Sequence, residues 1–203
     1  YCSKNSCVQH EAIAYNSSSK SVYIPNGYEF GEFNRRSFSD RPIVLCSAGR
    51  FHPAKDHATL IGMALELKKL DLNFELCICG RGITEENHAL MALIRGAGLI
   101  NDEIKLLGEL SDMGSFYQGV DVFILTSKTE GFPNVLAEAA AMGCAVFSTD
   151  VGDASLIVNN EEHIVSVGAS RDLAGKIFEF ANKTLSEKML ITSNTTNHVR
   201  NQF

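Results

Sequence analysis

The chain contains no apolar run near the roughly 18 residues a bilayer crossing needs, so no transmembrane helix is expected. It has no Cys-x-x-Cys pair, no internal repeat, and no low-complexity stretch beyond the serines at 17–19. Basic runs are missing too, as is any interleaving of Lys or Arg with aromatics. With a net charge of −6, nucleic acid is therefore not an expected partner. Any phosphate site must be assembled locally from a few cations that the fold brings together. Six cysteines stand at 2, 7, 46, 77, 79 and 144. The last four fall in apolar runs, where Cys acts as a small buried hydrophobe. That points to free thiols in a reducing, cytoplasmic compartment rather than to a metal or disulfide framework. No initiator Met or signal peptide precedes Tyr1-Cys2-Ser3-Lys4-Asn5. This start is expected to be a cut end, and so is the finish at Arg200-Asn201-Gln202-Phe203.

What is present suits one sizeable α/β core: 203 residues, 45% hydrophobic and 21% charged. Apolar, β-branched runs at 43–47, 74–79, 104–107, 120–125, 144–148 and 163–167 read as strands, and a shorter one at 21–24 leads into a Pro-Asn-Gly turn. Helical patterns lie between them, at 57–70 capped by Asp56, at 85–97 capped by Thr84, and at 112–118 capped by Ser111. Another opens at Pro133, one runs from Ser170 to about 182, and one begins at Ser186. Strands alternating with helices in this way predict a Rossmann-like, doubly wound parallel sheet. Ligands of such folds bind in the loops beyond the carboxyl ends of the strands.

The stretch 129–143 organises the rest. It is a turn and a helix held between two apolar strands, with Gly131 allowing close backbone approach and Pro133 suited to a first helical position. A helix N-terminus after such a turn favours an anion. Glu130 and Glu138 bracket it, eight positions apart. Carboxylates beside a phosphate site make sense as acceptors for hydroxyl protons, which a sugar or a ribose supplies. Spacing alone equally allows a solvated loop charge and a first-turn helix acid. Arg50 and Lys55 occupy the loop after the strand at 43–47, where they read either as surface cations or as a phosphate grip. Gly80-Arg81-Gly82 follows the next strand, but the third glycine of a dinucleotide fingerprint is missing, because position 85 is Glu. Asp153 can reach toward the same rim or, the reading favoured here, cap the helix that follows it.

Read as E-G-F-P-N-V-L-A-E-A-A-A-M-G, the central stretch resembles the E-x7-E signature of retaining glycosyltransferases of the GT-B fold, in particular glycosyltransferase family 4. The resemblance covers nearly all of residues 20–203 and implies a donor-binding, C-terminal half. Glu130 would contact hydroxyls of the donor sugar, and Glu138 the ribose. Gly131 and the backbone of Phe132, Pro133, Asn134 and Val135 would meet the distal phosphate. Gly49, Arg50 and Lys55 match the family's G-R-x4-K grip on the diphosphate, with Asp56 standing where the family usually has Gly. Gly108, Glu109 and Leu110 would lie near the nucleobase. The catalytic set implied is Glu130, Arg50 and Lys55.

On this resemblance, residues 1–20 are a remnant of an interdomain or N-terminal segment. Residues 21–203 are then the C-terminal nucleotide-sugar-binding domain, and the N-terminal acceptor domain is absent from the chain. The implied reaction moves a hexose from a UDP- or GDP-linked sugar to a saccharide or lipid-linked acceptor. The full-length protein would be cytoplasmic, with peripheral association at the inner face of the membrane. A nucleotide-sugar epimerase, a phosphorylase and a noncatalytic nucleotide-binding module of the same architecture stay open as alternatives. A phosphorylase would need a lysine for pyridoxal phosphate, and none announces itself.

The chain has no D-x-D, the metal-binding signature of the other major glycosyltransferase fold, so no cofactor and no metal are expected. Nucleotide affinity measured by calorimetric titration should therefore be the same with and without a chelator. A strong requirement for magnesium or manganese would count against the resemblance itself.

Overall fold

A computed structural model describes residues 2–13, 22, 27, 38, 41–99 and 103–203. The strand expected at 21–24 and most of the turn after it lie outside the described residues.

In chain order the elements are α1 (Lys4–Ile13), β1 (Ile43–Ala48), α2 (His57–Lys69), β2 (Phe74–Cys79), α3 (His88–Gly96), β3 (Ile104–Leu106), α4 (Met113–Tyr117) and β4 (Val122–Leu125). Then come α5 (Asn134–Ala141), β5 (Ala145–Thr149), α6 (Ala154–Val158), β6 (Ile164–Val165), α7 (Ser170–Ala181) and α8 (Leu185–Gln202). The strands form one six-stranded sheet in the order β3-β2-β1-β4-β5-β6, every pairing parallel. Parallel strands need crossover connections, and the helices that make them cover both faces. On one face Leu60 and Leu67 of α2, Leu90 of α3, and Leu173 and Ile177 of α7 pack against Leu45, Leu76, Ile78, Val122 and Ile124. On the other, Tyr117 of α4, Leu136 and Ala140 of α5, Ile157 of α6 and Val199 of α8 pack against Cys46, Cys79, Phe123, Leu125 and Val146. Consecutive strand residues thus serve opposite cores, which is why the central strands are continuously apolar rather than alternating.

The start of the sheet is pinned by one carboxylate. Asp121, just ahead of β4, accepts the Val44 N–H of β1 at 2.8 Å and pairs with Arg41 at 3.0 Å. That fixes the stagger of the first and fourth strands, whose far ends carry the loops of interest.

Several helix starts move. Asn87, not Thr84, caps α3: its side chain accepts from the Leu90 N–H and donates to the Gly82 carbonyl, tying the loop to the helix it opens. Asp112 rather than Ser111 caps α4 by holding both the N–H and the hydroxyl of Ser115. Pro133 sits at the cap position of α5, one residue earlier than expected, and α7 starts at Ser170 with Ala169 at its cap position. Thr184 opens α8 through a capping box with Glu187, a Thr-x-x-Glu pattern present in the sequence ahead of Ser186. Asp56 occupies the cap position of α2 without bonding its backbone. Its carboxylate takes the Thr59 hydroxyl instead, at 2.7 Å. The segment 4–13 is helical, with Ser3 just ahead of it and Cys7 within it buried.

His163, ahead of β6, is buried with its ring stacked on Phe147 at 3.9 Å, and its Nδ1–H donates to the Val146 carbonyl at 3.0 Å. Burial pulls its pKa down from 6.5 to about 4. The folded protein holds the neutral ring, whereas the unfolded chain takes up a proton below its ordinary value. The stability this contributes is fully present above pH 6.5 and is lost as pH falls toward 4, by up to about 3 kcal/mol. Urea unfolding at a series of pH values should show that loss in the parent and a flatter dependence in His163→Gln.

Candidate functional site

The strand order reverses direction between β1 and β4, and loops leaving the carboxyl ends on either side of such a switch point diverge to leave a crevice. The loop after β1 carries Gly49, Arg50 and Lys55; the loop after β4 carries Glu130 to Pro133. They are stitched together below the rim. The Lys128 N–H donates to the Ala54 carbonyl at 2.7 Å, and the buried Thr126 hydroxyl to the Lys55 carbonyl at 3.0 Å.

Above that seam, Lys55 Nζ meets Glu130 Oε1 at 2.5 Å, with the two side chains 25% and 15% exposed. The buried Ser127 hydroxyl donates to the same oxygen at 2.6 Å. Lys55 reaches across by laying its stem over Gly49: a Cβ there would stand 3.3 Å from Lys55 Cδ and Cε. The reach also needs a sharp turn at Asp56, whose φ of 48° lies in the left-handed region. A glycine would adopt it without strain, while Asp is one of the few side-chain-bearing residues that tolerate it. Arg50 is exposed and meets no carboxylate among the described residues.

The neighbouring loops continue the rim. Gly80, at φ 131°, lies so close to Gly49 that a Cβ would overlap the Gly49 carbonyl. The room left by the missing side chain at Gly80 is filled by the chain itself. The Gly80 N–H donates to the Gly108 carbonyl at 2.6 Å, which joins the loop holding Gly108, Glu109 and Leu110 to the same wall. Glu109 is exposed and pairs with Arg81 at 2.9 Å. On the other side the Asp153 N–H donates to the Gly131 carbonyl at 2.9 Å. Asp153 stands at the cap position of α6 yet makes no side-chain cap there; its carboxylate takes the backbone N–H groups of Lys4 and Asn5 at the start of α1. The expected cap of the following helix is thus a cap of a helix distant in sequence.

Phe132 and Pro133 are buried, with Phe132 edge-on to Phe203 at 5.1 Å. They fix the approach to α5, whose first-turn N–H groups precede its own hydrogen-bond ladder. At the far end of α5, Thr196 and Arg200 donate to the Ala140 and Ala141 carbonyls. Glu138 is not in the first turn of α5, so dipole stabilisation there does not explain it. It is half-buried near Tyr117, whose hydroxyl donates to the Val135 carbonyl at 3.3 Å. Burial pushes the Glu138 carboxyl above its ordinary 4.5, with Tyr117 pulling weakly the other way.

The structure therefore joins Lys55, Glu130, Gly49 and Gly131 into one contact network and leaves Arg50 reaching into the open. Glu138 stands apart on α5, and Gly108 to Leu110 join through Gly80. Sequence reading missed Ser127, Thr126 and the second-loop role of Gly152 and Asp153. A hydroxyl pair closing a buried strand was the available signal for the first two. No group of three or more His, Cys, Asp and Glu is placed to hold a metal among the described residues. No described helix is long and apolar enough to cross a membrane.

A six-stranded parallel sheet of this order, with Lys55 and Glu130 meeting at its switch point, is the Rossmann-like half of a GT-B architecture. Residues 31–196 match the family described as glycosyl transferases group 1, and the chain belongs to that family. Among curated proteins it is 30% identical over 135 residues to the putative glycosyltransferase EpsF of Bacillus subtilis, covering 64% of this chain and 33% of that one. The chain spans about a third of the length of the curated relatives it matches. Among solved structures it overlays a TarM variant of S. aureus, described in complex with fondaparinux, alpha-GlcNAc-glycerol and UDP, with a TM-score of 0.81. Identity there is 18%, over 97% of this chain and 39% of that one. It also resembles the C-terminal domain of a glycosyl transferase group 1 family protein, LpcC of Francisella tularensis. There the TM-score is 0.67 at 24% identity, over 80% of this chain and 87% of that domain.

Because burial raises the Glu138 pKa, its contribution to stability is fully present below the unfolded value near 4.5 and is lost as pH rises through the higher folded value. At neutral pH the ionised group costs the unliganded fold some stability. Glu138→Gln should therefore melt no lower than the parent at pH 7, and any gain should vanish in acid. Thermal unfolding at both pH values checks it.

Proposed function

We propose that this chain is the donor-binding half of a retaining glycosyltransferase that moves a hexose from a UDP- or GDP-linked sugar to a saccharide or lipid-linked acceptor. The observation that carries the reading is the Lys55–Glu130 contact at the switch point, with Arg50 unengaged beside it. A lone surface lysine would have no reason to meet a carboxylate braced by a buried serine, or to lay its stem over a glycine that leaves room for it. The pair presents a cation and an acceptor at one spot, as a sugar linked to a diphosphate requires. The UDP named with the TarM variant agrees with this reading.

In this proposal Arg50 and Lys55 receive the diphosphate, and the N–H groups opening α5 take the distal phosphate. Gly131 to Val135 line that approach. Charge growing on the departing diphosphate is balanced by these groups, an electrostatic contribution to the transition state that calls for no metal or other cofactor. Glu130 loses its Lys55 partner in part when the diphosphate arrives, and its oxygens turn to the sugar hydroxyls. Glu138, half-buried and with its pKa raised by burial, accepts from the ribose. Gly108, Glu109 and Leu110 border the base. Acceptor binding and closure over the donor are assigned to the remainder of a longer protein, peripheral to the membrane where its acceptor is lipid-linked. This chain should then bind nucleotide yet release almost none from a nucleotide sugar.

Calorimetric titration with UDP, GDP, ADP and their sugar-linked forms tests the assignment. Arg50→Ala and Lys55→Ala should each weaken the best nucleotide without lowering the melting temperature appreciably, since loop cations contribute little to the core. Glu138→Gln should weaken the bare nucleotide, and Glu130→Gln the sugar nucleotide more than the bare one, each by about 1 to 3 kcal/mol. Parent-like binding by both cation variants would mean the site is misplaced. Equal losses for both carboxylate variants on bare nucleotide would remove the separate roles.

A further inference from the structure

The turn between β5 and α6 touches two things at once. Its Asp153 side chain is fully buried and accepts the backbone N–H of Lys4 at 2.7 Å and of Asn5 at 3.0 Å. The Asn5 side-chain amide donates to the Gly152 carbonyl. The same turn is locked against the loop after β4. Asp153 N–H donates to the Gly131 carbonyl at 2.9 Å, and Gly152, at φ 52°, packs so tightly on Glu130 and Gly131 that a Cβ would overlap both carbonyl oxygens. Ser3 and Ser6 lie within 4 Å of where a Gly131 side chain would stand. No cation pairs with Asp153 among the described residues, so its charge is answered by the N–H groups and the positive end of α1.

A buried carboxylate satisfied only by the amides of a helix start is costly to leave unmet. Undocking α1 would strand it and free the turn that braces Glu130. We propose that Asp153 is a positioning residue that couples α1 to the donor loop, so that Glu130 is held in place for the sugar only while the start of α1 is docked. The proposal rests on the reading of Glu130 as the sugar contact. Because such coupling is reciprocal, a sugar nucleotide should in turn fasten α1.

Two substitutions remove the contact from opposite sides. Asp153→Asn keeps the volume and removes the charge. Lys4→Pro, at the first position of α1, removes one N–H where proline is tolerated, and so remains informative if a buried change at Asp153 impairs folding. Titration of this chain with UDP and GDP and with their hexose-linked forms should show each variant weakened about three- to tenfold for the sugar nucleotide and less than about twofold for the bare one. The double variant should be no weaker than the weaker single, as expected of two ends of one interaction. A purely structural role would lower both ligands alike. Parent-like affinity for the sugar nucleotide in both single variants, or fully multiplicative losses in the double, would overturn the proposal.

A parent that binds none of these ligands would sink the nucleotide-sugar reading and leave the coupling to hydrogen exchange. There, amides of residues 129–132 should exchange faster in Lys4→Pro than in the parent. Unchanged exchange would overturn the coupling by itself.

Discussion

Lys55 and Glu130 can meet only because the first and fourth strands are neighbours. Seventy-five residues separate them in sequence, and the contact closes when β1 and β4 pair in parallel with Leu45 opposite Val122. Asp121 sets that stagger at the amino-terminal ends of the strands by holding the Val44 N–H, so a carboxylate at one pole of the sheet governs the alignment of another at the opposite pole. Everything on the rim inherits this arrangement. The seam formed by Thr126 and Lys128 keeps the two loops at a fixed separation. The pair above it is then a geometric consequence rather than a chance meeting of long side chains.

Close backbone approach supplies the second constraint. Five loops crowd the carboxyl ends of the strands, and they pack only because side chains are missing where chains cross. Gly80 admits the Gly49 carbonyl, Gly49 admits the stem of Lys55, and Gly152 admits the carbonyls of Glu130 and Gly131. A glycine-rich rim invites the interpretation that each glycine makes space for a ligand. At Gly80 and Gly152 the space is occupied by the protein, and the glycines fix the neighbouring loops. Asp56 shows how far this requirement extends: it keeps the left-handed turn expected of glycine and offsets the strain through Thr59 and a 3.6 Å approach from Lys128.

The sheet and its order of elements were legible in the sequence because parallel strands covered on both faces leave uninterrupted apolar runs. All six runs from 43 onward correspond to strands. The grouping of Arg50, Lys55 and Glu130 at one crevice followed from the rule that ligands sit beyond strand ends, although the roles of these residues came from resemblance. Helix starts were less legible where two capping residues compete. Thr84 and Asn87 have equal claims by type, and the bonds Asn87 makes forward to Leu90 and back to Gly82 decide between them. Ser127 and Asp153 were beyond local reading for a different reason. The partners of Asp153, Lys4 and Asn5, lie on a distant segment; that of Ser127 is Glu130, three residues on, but nothing in a short window tells a serine that supports a carboxylate from one that ends a strand. The helix α1 was illegible because the residues described as buried at its start, Ser3 just ahead of it and Cys7 within it, are small and weakly apolar.

The electrostatics of α5 bring these strands of argument together. Its carboxyl end is covered by α8: Thr196 donates to the Ala140 carbonyl at 2.8 Å and Arg200 to the Ala141 carbonyl at 3.0 Å. The negative pole is thereby satisfied inside the fold, with a cation where the dipole favours one. The amino end points toward the rim, where Phe132 and Pro133 bury the approach without a side-chain cap. A small helix lined with alanines can sit this close to the sheet, and its closeness is what buries Glu138 enough to raise its pKa. The same packing that leaves a positive pole at the crevice thus leaves a half-buried carboxylate one turn further along. An anion at the helix start and a hydroxyl donor beside Glu138 would satisfy both at once, as the proposed reading of the E-x7-E stretch requires.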